Sequence, residues 1–347
     1  MKFYNFFKKN TSKFVERWHS DAFSDRKTAI QIFKDVKKRL RIIPHPYVGW
    51  RSAPNQKFKT VNINENGLRS KSLKSLKHKE NCFFLGGSVA WGFGASSNEA
   101  TPAYQIEKIL NEKYNLNLNV INLAEQSASS IEELNAFITS FHELNPKMII
   151  IFSGCNDINF GFVNEYKAIS NYKIMLDFFS WGDKIGVVRD RNFIRILVKI
   201  FLRSLKKQKN YDDNFYYFNK PDREDIACSL YGYKTDFINN FCSKKNIKVF
   251  HFLHSYLFFK KNKSTYEKSY EEFIGEERKD FTIEQFNLLK QKFFDKKNEN
   301  SSTFFYSLLD CFDEYKETIF VDRSHTADKG YRILAEKMCK KIIKNIE

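Results

Sequence analysis

Phe83-Phe84-Leu85-Gly86-Gly87-Ser88-Val89-Ala90-Trp91-Gly92 is an apolar strand that runs directly into two glycines and a serine. Glycine lets a backbone turn where a side chain would clash, so the residue beyond the turn is set out at the end of the strand. Ligand sites in open α/β sheets lie at that carboxyl edge. Ser88 is therefore a candidate nucleophile, although a glycine pair after a strand also suits a phosphate cradle or a plain tight turn. Two later segments bear on the choice.

Met148-Ile149-Ile150-Ile151-Phe152-Ser153-Gly154-Cys155-Asn156-Asp157 is a second β-branched run broken at glycine, and it presents Asn156, whose amide can donate to a developing oxyanion. Ile319-Phe320-Val321-Asp322-Arg323-Ser324-His325 is a third. Asp and His three apart let one loop offer an imidazole to a serine while the carboxylate fixes its tautomer. Each piece alone has a plainer use: Asn156-Asp157 as a turn or helix cap, His325 as a surface histidine beside a helix start, Asp322 as an ordinary loop residue. Three strand ends that together carry a nucleophile, an amide donor and a base with its orienter favour a nucleophilic site.

The surrounding pattern alternates. Strands are expected around Cys82 to Leu85, Val120 to Leu123, Met148 to Ser153, Lys248 to Leu253 and Thr318 to Val321, with helices around Pro102 to Tyr114, Ile131 to Glu143, Lys234 to Ser243 and Tyr331 to Lys344. Such alternation builds a parallel sheet covered on both faces. The predicted fold class is α/β: a three-layer α/β/α sandwich on a five-stranded parallel sheet, flavodoxin-like in plan, with a helical N-terminal extension and a helical insertion. Residues 1–80 form the extension, residues 81–347 the main domain, and the insertion covers about 160–235. In it Phe193, Ile196, Leu197, Ile200, Phe201 and Leu205 recur at helical spacing, either as a lid over a substrate's acyl part or as a packed surface helix. A further charged insertion, about 260–303, is expected to face solvent.

With these residues in place the chain resembles the SGNH, or GDSL-like, hydrolase family. The resemblance implies Ser88 as nucleophile, His325 as general base and Asp322 as its partner. It also implies an oxyanion hole built from the Asn156 amide, the Ser88 N–H and a backbone N–H in the second motif block. That block departs from the family pattern. After Val120-Ile121-Asn122-Leu123 the family carries glycines, whereas this chain reads Ala124-Glu125-Gln126-Ser127-Ala128-Ser129-Ser130, which sets Ser127 where a glycine is expected. A serine there can still offer its N–H if φ is negative or if the strain of a positive φ is tolerated. The lead-in His45-Pro46-Tyr47-Val48-Gly49-Trp50-Arg51, with Asn62 to Arg69 after it, resembles that of bacterial members linked to surface-polysaccharide and envelope metabolism.

The chain has 347 residues, 42% of them apolar, and a formal net charge of +17. The charge is regional: residues 1–80 hold 20 Lys and Arg against 6 Asp and Glu. Phe3, Phe7, Phe14 and Trp18 fall on one face of a first helical pattern with Lys and Arg over much of the rest, and Ala29, Phe33, Val36, Leu40 and Ile43 make a second stripe. A basic, aromatic helix of this kind fits peripheral contact of residues 1–43 with an anionic membrane. Docking of both stripes on the main domain is the plainer use and the favoured one. Nucleic acid is disfavoured, because no binding motif accompanies the charge.

No apolar stretch of ~7 to 15 residues precedes a small-residue cleavage site, and no run reaches the ~18 apolar residues of a spanning helix. A cytoplasmic location is expected, peripheral at the inner membrane if the basic arm binds lipid. Six scattered cysteines without Cys-x-x-Cys spacing read as reduced thiols, with neither a disulfide framework nor a zinc site.

The resemblance thus implies a serine esterase that works through an acyl-enzyme, without metal or cofactor, on an acylated sugar or glycan small molecule, removing an O-acyl group such as acetyl from a precursor. Two alternatives stand beside it: an O-acetyltransferase on a cell-surface polysaccharide precursor using the same site, and a non-catalytic glycan-binding scaffold on a degraded hydrolase fold. A lipase acting on membrane lipids is what the apolar insertion would favour.

Overall fold

The computed structural model of the protein describes residues 20–76, 79–163, 225–295 and 302–346. The chain enters through α1 (Arg26–Phe33) and an antiparallel hairpin, β1 (Ile42–His45) and β2 (Gly49–Ser52). Then come β3 (Glu80–Gly86), α2 (Ser88–Trp91), α3 (Pro102–Tyr114), β4 (Leu118–Asn122), α4 (Ser130–Leu144), β5 (Met148–Ser153) and α5 (Cys155–Val163). The remainder is α6 (Asp225–Ser243), β6 (Lys248–Leu253), α7 (Thr265–Ile274), α8 (Glu276–Leu289), β7 (Thr303–Ser307) and α9 (Asp328–Ile343).

Strands β3 to β7 form one parallel sheet in the order β4-β3-β5-β6-β7. The strand order reverses between β3 and β5, and a crevice opens at the carboxyl ends of two strands that send their connections to opposite faces. The two glycine-broken strands of the sequence are the pair that flank this switch point.

Both faces of the sheet are covered, which is why the strands read as near-continuous apolar runs. Phe83, Leu85, Ile121, Ile149, Ile151 and Val249 pack on one face beneath Phe137 of α4 and Ile238 of α6. Cys82, Phe84, Val120, Ile150, Phe250 and Phe252 point the other way, where Ile106 and Leu110 of α3 and Leu334 and Met338 of α9 cover them. The N-terminal region joins this second layer: Ala29, Ile32 and Val36 are buried in it, with Phe33 and Leu40 packed at its margin. Ile43 instead lies in β1 and faces solvent. The first stripe, Phe3 to Trp18, lies outside the described residues, as does the apolar series from Phe193 to Leu205.

Two expectations are corrected. The fifth strand is Thr303–Ser307, paired with β6, and not the segment from Thr318 to Val321. The N–H groups of Ile319 and Phe320 both donate to Glu267 Oε1, at 2.9 and 3.0 Å, and Phe320 makes one isolated bridge to Thr326, so this segment has no ladder to join. The charged stretch 260–303 is not simply solvent-facing either. Phe286 and Leu289 of α8 are fully buried, and Lys260 and Glu267 form a fully buried ion pair 2.5 Å long. Among the described residues no helix is long and apolar enough to cross a membrane. All six cysteines are buried and free.

Candidate active site

Strand β3 ends at Gly86 and passes through Gly87 into α2, whose first residue is Ser88. The turn is possible only with small residues. A Cβ on Gly86, at φ +154°, would fall 2.3 Å from Phe152 O on β5, so the two strand ends approach more closely than any side chain permits. Arg69 secures the far side of the turn: fully buried, it donates to Gly92 O and Thr60 O at 2.5 and 2.7 Å, and its guanidinium lies 4.6 Å from the Trp91 ring.

Ser88 Oγ lies 2.7 Å from His325 Nε2. On the other side of the imidazole, Nδ1 is 2.8 Å from Asp322 Oδ2 and 3.0 Å from Oδ1. The Asp322 carboxylate is fully buried and also receives the N–H groups of Ser324 and His325, each at 2.9 Å. A carboxylate accepts only, so Nδ1 carries the proton and Nε2 presents its lone pair to the serine hydroxyl. The Phe93 ring covers one face of the imidazole at 4.4 Å between centroids. The loop is folded by its own backbone: Val321 N–H donates to His325 O at 2.8 Å, which closes the turn that sets Asp322 beside His325.

Asn156 stands in the first turn of α5, beside Gly87. One of its amide N–H groups donates to Ala128 O at 2.7 Å, which fixes the plane of the carboxamide and leaves the second N–H for a ligand. Asp157 ties the same turn to the second motif block by accepting from Ser130 N and Ser130 Oγ, at 3.1 and 3.0 Å. Ser127 sits at φ +62°. Five described non-glycine residues have positive φ, and the other four are asparagines, which tolerate that region; Ser127 alone carries its strain, about 1–3 kcal/mol. Of the two routes open to a serine here, the chain takes the strained one. The Ser127 N–H has no partner among the described residues.

Residues not foreseen from the sequence complete the surroundings. His254 directly follows β6, stacks on Phe152 at 4.8 Å and lines the same cleft as Ser88 and Asn156. Its Nδ1 is bonded to Ser255 O, while its Nε2 is buried with no hydrogen-bond partner among the described residues. Burial, reinforced by the neighbouring His325, pushes the His254 imidazole down to about 3, so it is uncharged at neutral pH. Behind the cleft, Lys234 Nζ donates to Glu133 Oε2 at 2.7 Å and to Ser153 Oγ at 2.8 Å, with all three buried. Burial pushes the Glu133 carboxyl up to about 7 against the pull of Lys234. A polar residue closing an apolar strand was the available signal for His254. No local signal links Lys234 to Glu133, which lie about a hundred positions apart.

The fold is that of the SGNH-type hydrolases. Residues 82–338 match the family model described as GDSL-like Lipase/Acylhydrolase, and the chain belongs to that family. Among solved structures it is similar to the acetyl xylan esterase AlAXEase, with 14% identity over 76% of this chain and 99% of that one and a TM-score of 0.41. It is also similar to the lipase Lip_vut3 from a goat rumen metagenome, at 15% identity over 77% and 97% of the two chains with a TM-score of 0.41. A third, Axe2, an acetylxylan esterase from Geobacillus stearothermophilus, is 13% identical over 76% and 94%, with a TM-score of 0.40. No curated protein matches the chain.

Proposed function

We propose that the protein is a serine esterase that removes a small O-acyl group, acetyl, from a sugar or glycan precursor by way of an acyl-enzyme. The observation that carries this reading is the unbroken hydrogen-bonded line from Asp322 through His325 to Ser88 Oγ. As Ser88 Oγ attacks the ester carbonyl, His325 Nε2 takes its proton, and the imidazolium is stabilised by the Asp322 carboxylate. The N–H groups of Ser88 and Ser127 and the free N–H of the Asn156 amide receive the oxyanion. The proton on His325 passes to the leaving sugar oxygen. Water then gives its proton to His325 as it attacks the acyl carbon, and collapse of the second tetrahedral intermediate returns the hydroxyl to Ser88 and frees the carboxylic acid.

The sugar is supported by the lead-in at His45 to Arg51 and Asn62 to Arg69, which resembles that of polysaccharide-linked members of the family. The test is product analysis by mass spectrometry over a panel of acetylated sugars and of short and long acyl esters. Acetate release from an acetylated sugar, absent in Ser88→Ala, is expected. Preference for long-chain esters, or equal turnover by Ser88→Ala, would contradict the reading.

A further inference from the structure

The β1–β2 hairpin lies outside the residues that match the family model, yet β2 is bonded directly to the second motif block. Trp50 Nε1 donates to Gln126 O at 2.8 Å. Ser52 N–H donates to Glu125 Oε2 at 2.8 Å, and Ser52 Oγ lies 3.2 Å from the same oxygen. Glu125 Oε1 receives the N–H of Gln126 at 2.9 Å. The backbone of Glu125 is held at both ends, donating to Gly86 O and accepting from Ala128 N, each at 3.2 Å. Trp50, Ser52, Glu125 and Gln126 are all buried.

The bond from Trp50 matters because of what shares a plane with its acceptor. Gln126 C=O and Ser127 N–H belong to one peptide unit, which is planar and trans, so the two groups point in opposite directions. Holding the oxygen toward Trp50 turns the N–H the other way. The competing arrangement is a flip of this peptide, which changes φ of Ser127 by about half a turn and carries it from the left-handed region to a negative φ that serine adopts without strain. In a chain with glycine at this position the left-handed form costs nothing. Here Ser127 sits at φ +62°, so a flip would relieve strain and withdraw the N–H together.

We infer that Trp50, with the Ser52–Glu125 bonds beside it, is a positioning residue for the oxyanion hole: it holds the Gln126–Ser127 peptide against a flip, in a block that lacks the family's glycine. The inference rests on Ser127 N–H being an oxyanion donor. It makes the hairpin part of the working site, and it ties the need for Trp50 to the identity of residue 127.

The test is a double-mutant cycle on steady-state hydrolysis of a short acyl ester. Trp50→Phe keeps the ring and removes the N–H. In the otherwise unchanged protein it is expected to lower kcat about 10- to 100-fold, a fraction of the loss of a whole donor, with KM changed less than about threefold because ground-state binding is not what is lost. In a Ser127→Gly background the same substitution is expected to cost severalfold less. Coupling of this kind separates positioning of the peptide from general docking of the hairpin, which residue 127 would not influence. An unchanged kcat in Trp50→Phe, an effect confined to KM, or the same loss in both backgrounds would overturn the inference. Should Trp50→Phe fail to fold, Ser52→Ala enters the same cycle with the same expectations. Ser88→Ala run alongside keeps the two readings apart, since an active Ser88→Ala refutes the nucleophile assignment, whereas a silent Trp50→Phe with an inactive Ser88→Ala refutes only the positioning role.

Discussion

A methyl group on Gly87 would stand 2.3 Å from Asn156 Nδ2 and 3.1 Å from Ala128 O. The turn that leads into Ser88 and the Asn156 carboxamide are thus packed so closely that residue 87 must lack a side chain. Gly87→Ala is expected to push the carboxamide out of line and to lower kcat on a short acyl ester about as far as Asn156→Ala does, by ~10²- to 10³-fold. Stopped or steady-state assays of the two variants compare them directly. Full activity in Gly87→Ala would show that the amide is not needed where it stands.

Ser127 offers a test of stored strain. Ser127→Gly removes a penalty of about 1–2 kcal/mol in the left-handed region but adds about 0.5–1 kcal/mol of chain entropy to the unfolded state, so stability is expected to change by less than ~1 kcal/mol. Ser127→Val places a β-branched residue at φ +62° and is expected to destabilise by about 1–3 kcal/mol. Urea unfolding of the pair decides it. A Val variant as stable as the Gly variant would mean that residue 127 is not left-handed in solution.

Lys234 neutralises two buried carboxyls, Glu133 directly and Asp157 through space. Lys234→Met leaves them without a cation, and a loss of about 3–5 kcal/mol is expected, as for other buried pairs broken on one side. The sign of its pH dependence follows from Glu133, whose folded carboxyl is already raised to about 7 from an ordinary 4.5. With the cation gone it rises further, the folded state binds more protons than the unfolded one, and stability falls as pH increases above about 4.5. The deficit of Lys234→Met should therefore be larger at pH 8 than at pH 6. A deficit that shrinks with pH would contradict this assignment of charges.

His254 has the opposite sign. Its imidazole is pushed down to about 3 in the folded protein and returns to its ordinary 6.5 on unfolding. Between those values the unfolded chain binds more protons, so stability falls as pH is lowered through about 6.5. His254→Gln is expected to flatten the acid side of the stability profile by up to ~1.4 kcal/mol per pH unit, one proton's worth. Unfolding midpoints measured at several values between pH 4 and 6.5 show the difference, and parallel profiles for the two proteins would rule it out.

Much of this architecture was readable in advance where local chemistry and global packing agree. Met148–Ser153 and Lys248–Leu253 are strands because both of their faces are buried, and such strands announce themselves as unbroken apolar runs. Ser88, Asn156, Asp322 and His325 could be singled out because glycine breaks and an Asp-x-x-His spacing are local. Ile319-Phe320-Val321 reads as a strand because it is apolar and β-rich, but a distant carboxylate, Glu267, takes its backbone donors, and the place beside β6 goes to Thr303–Ser307, which the sequence did not single out. The roles of Lys234 and Trp50 were beyond reach, since they depend on partners that only the folded chain brings near. Ser127 was recognised as a departure, but whether its φ would be positive could not be read without the loop around it.

Reaction with a fluorophosphonate, read by intact-protein mass and peptide mapping, tests the nucleophile most directly. One phosphonyl group per chain is expected, bonded to Ser88, with none acquired by Ser88→Ala and a greatly slowed reaction in His325→Ala. An unmodified protein, or a group attached to any other residue at the same rate in Ser88→Ala, would contradict the assignment of Ser88 as the activated hydroxyl.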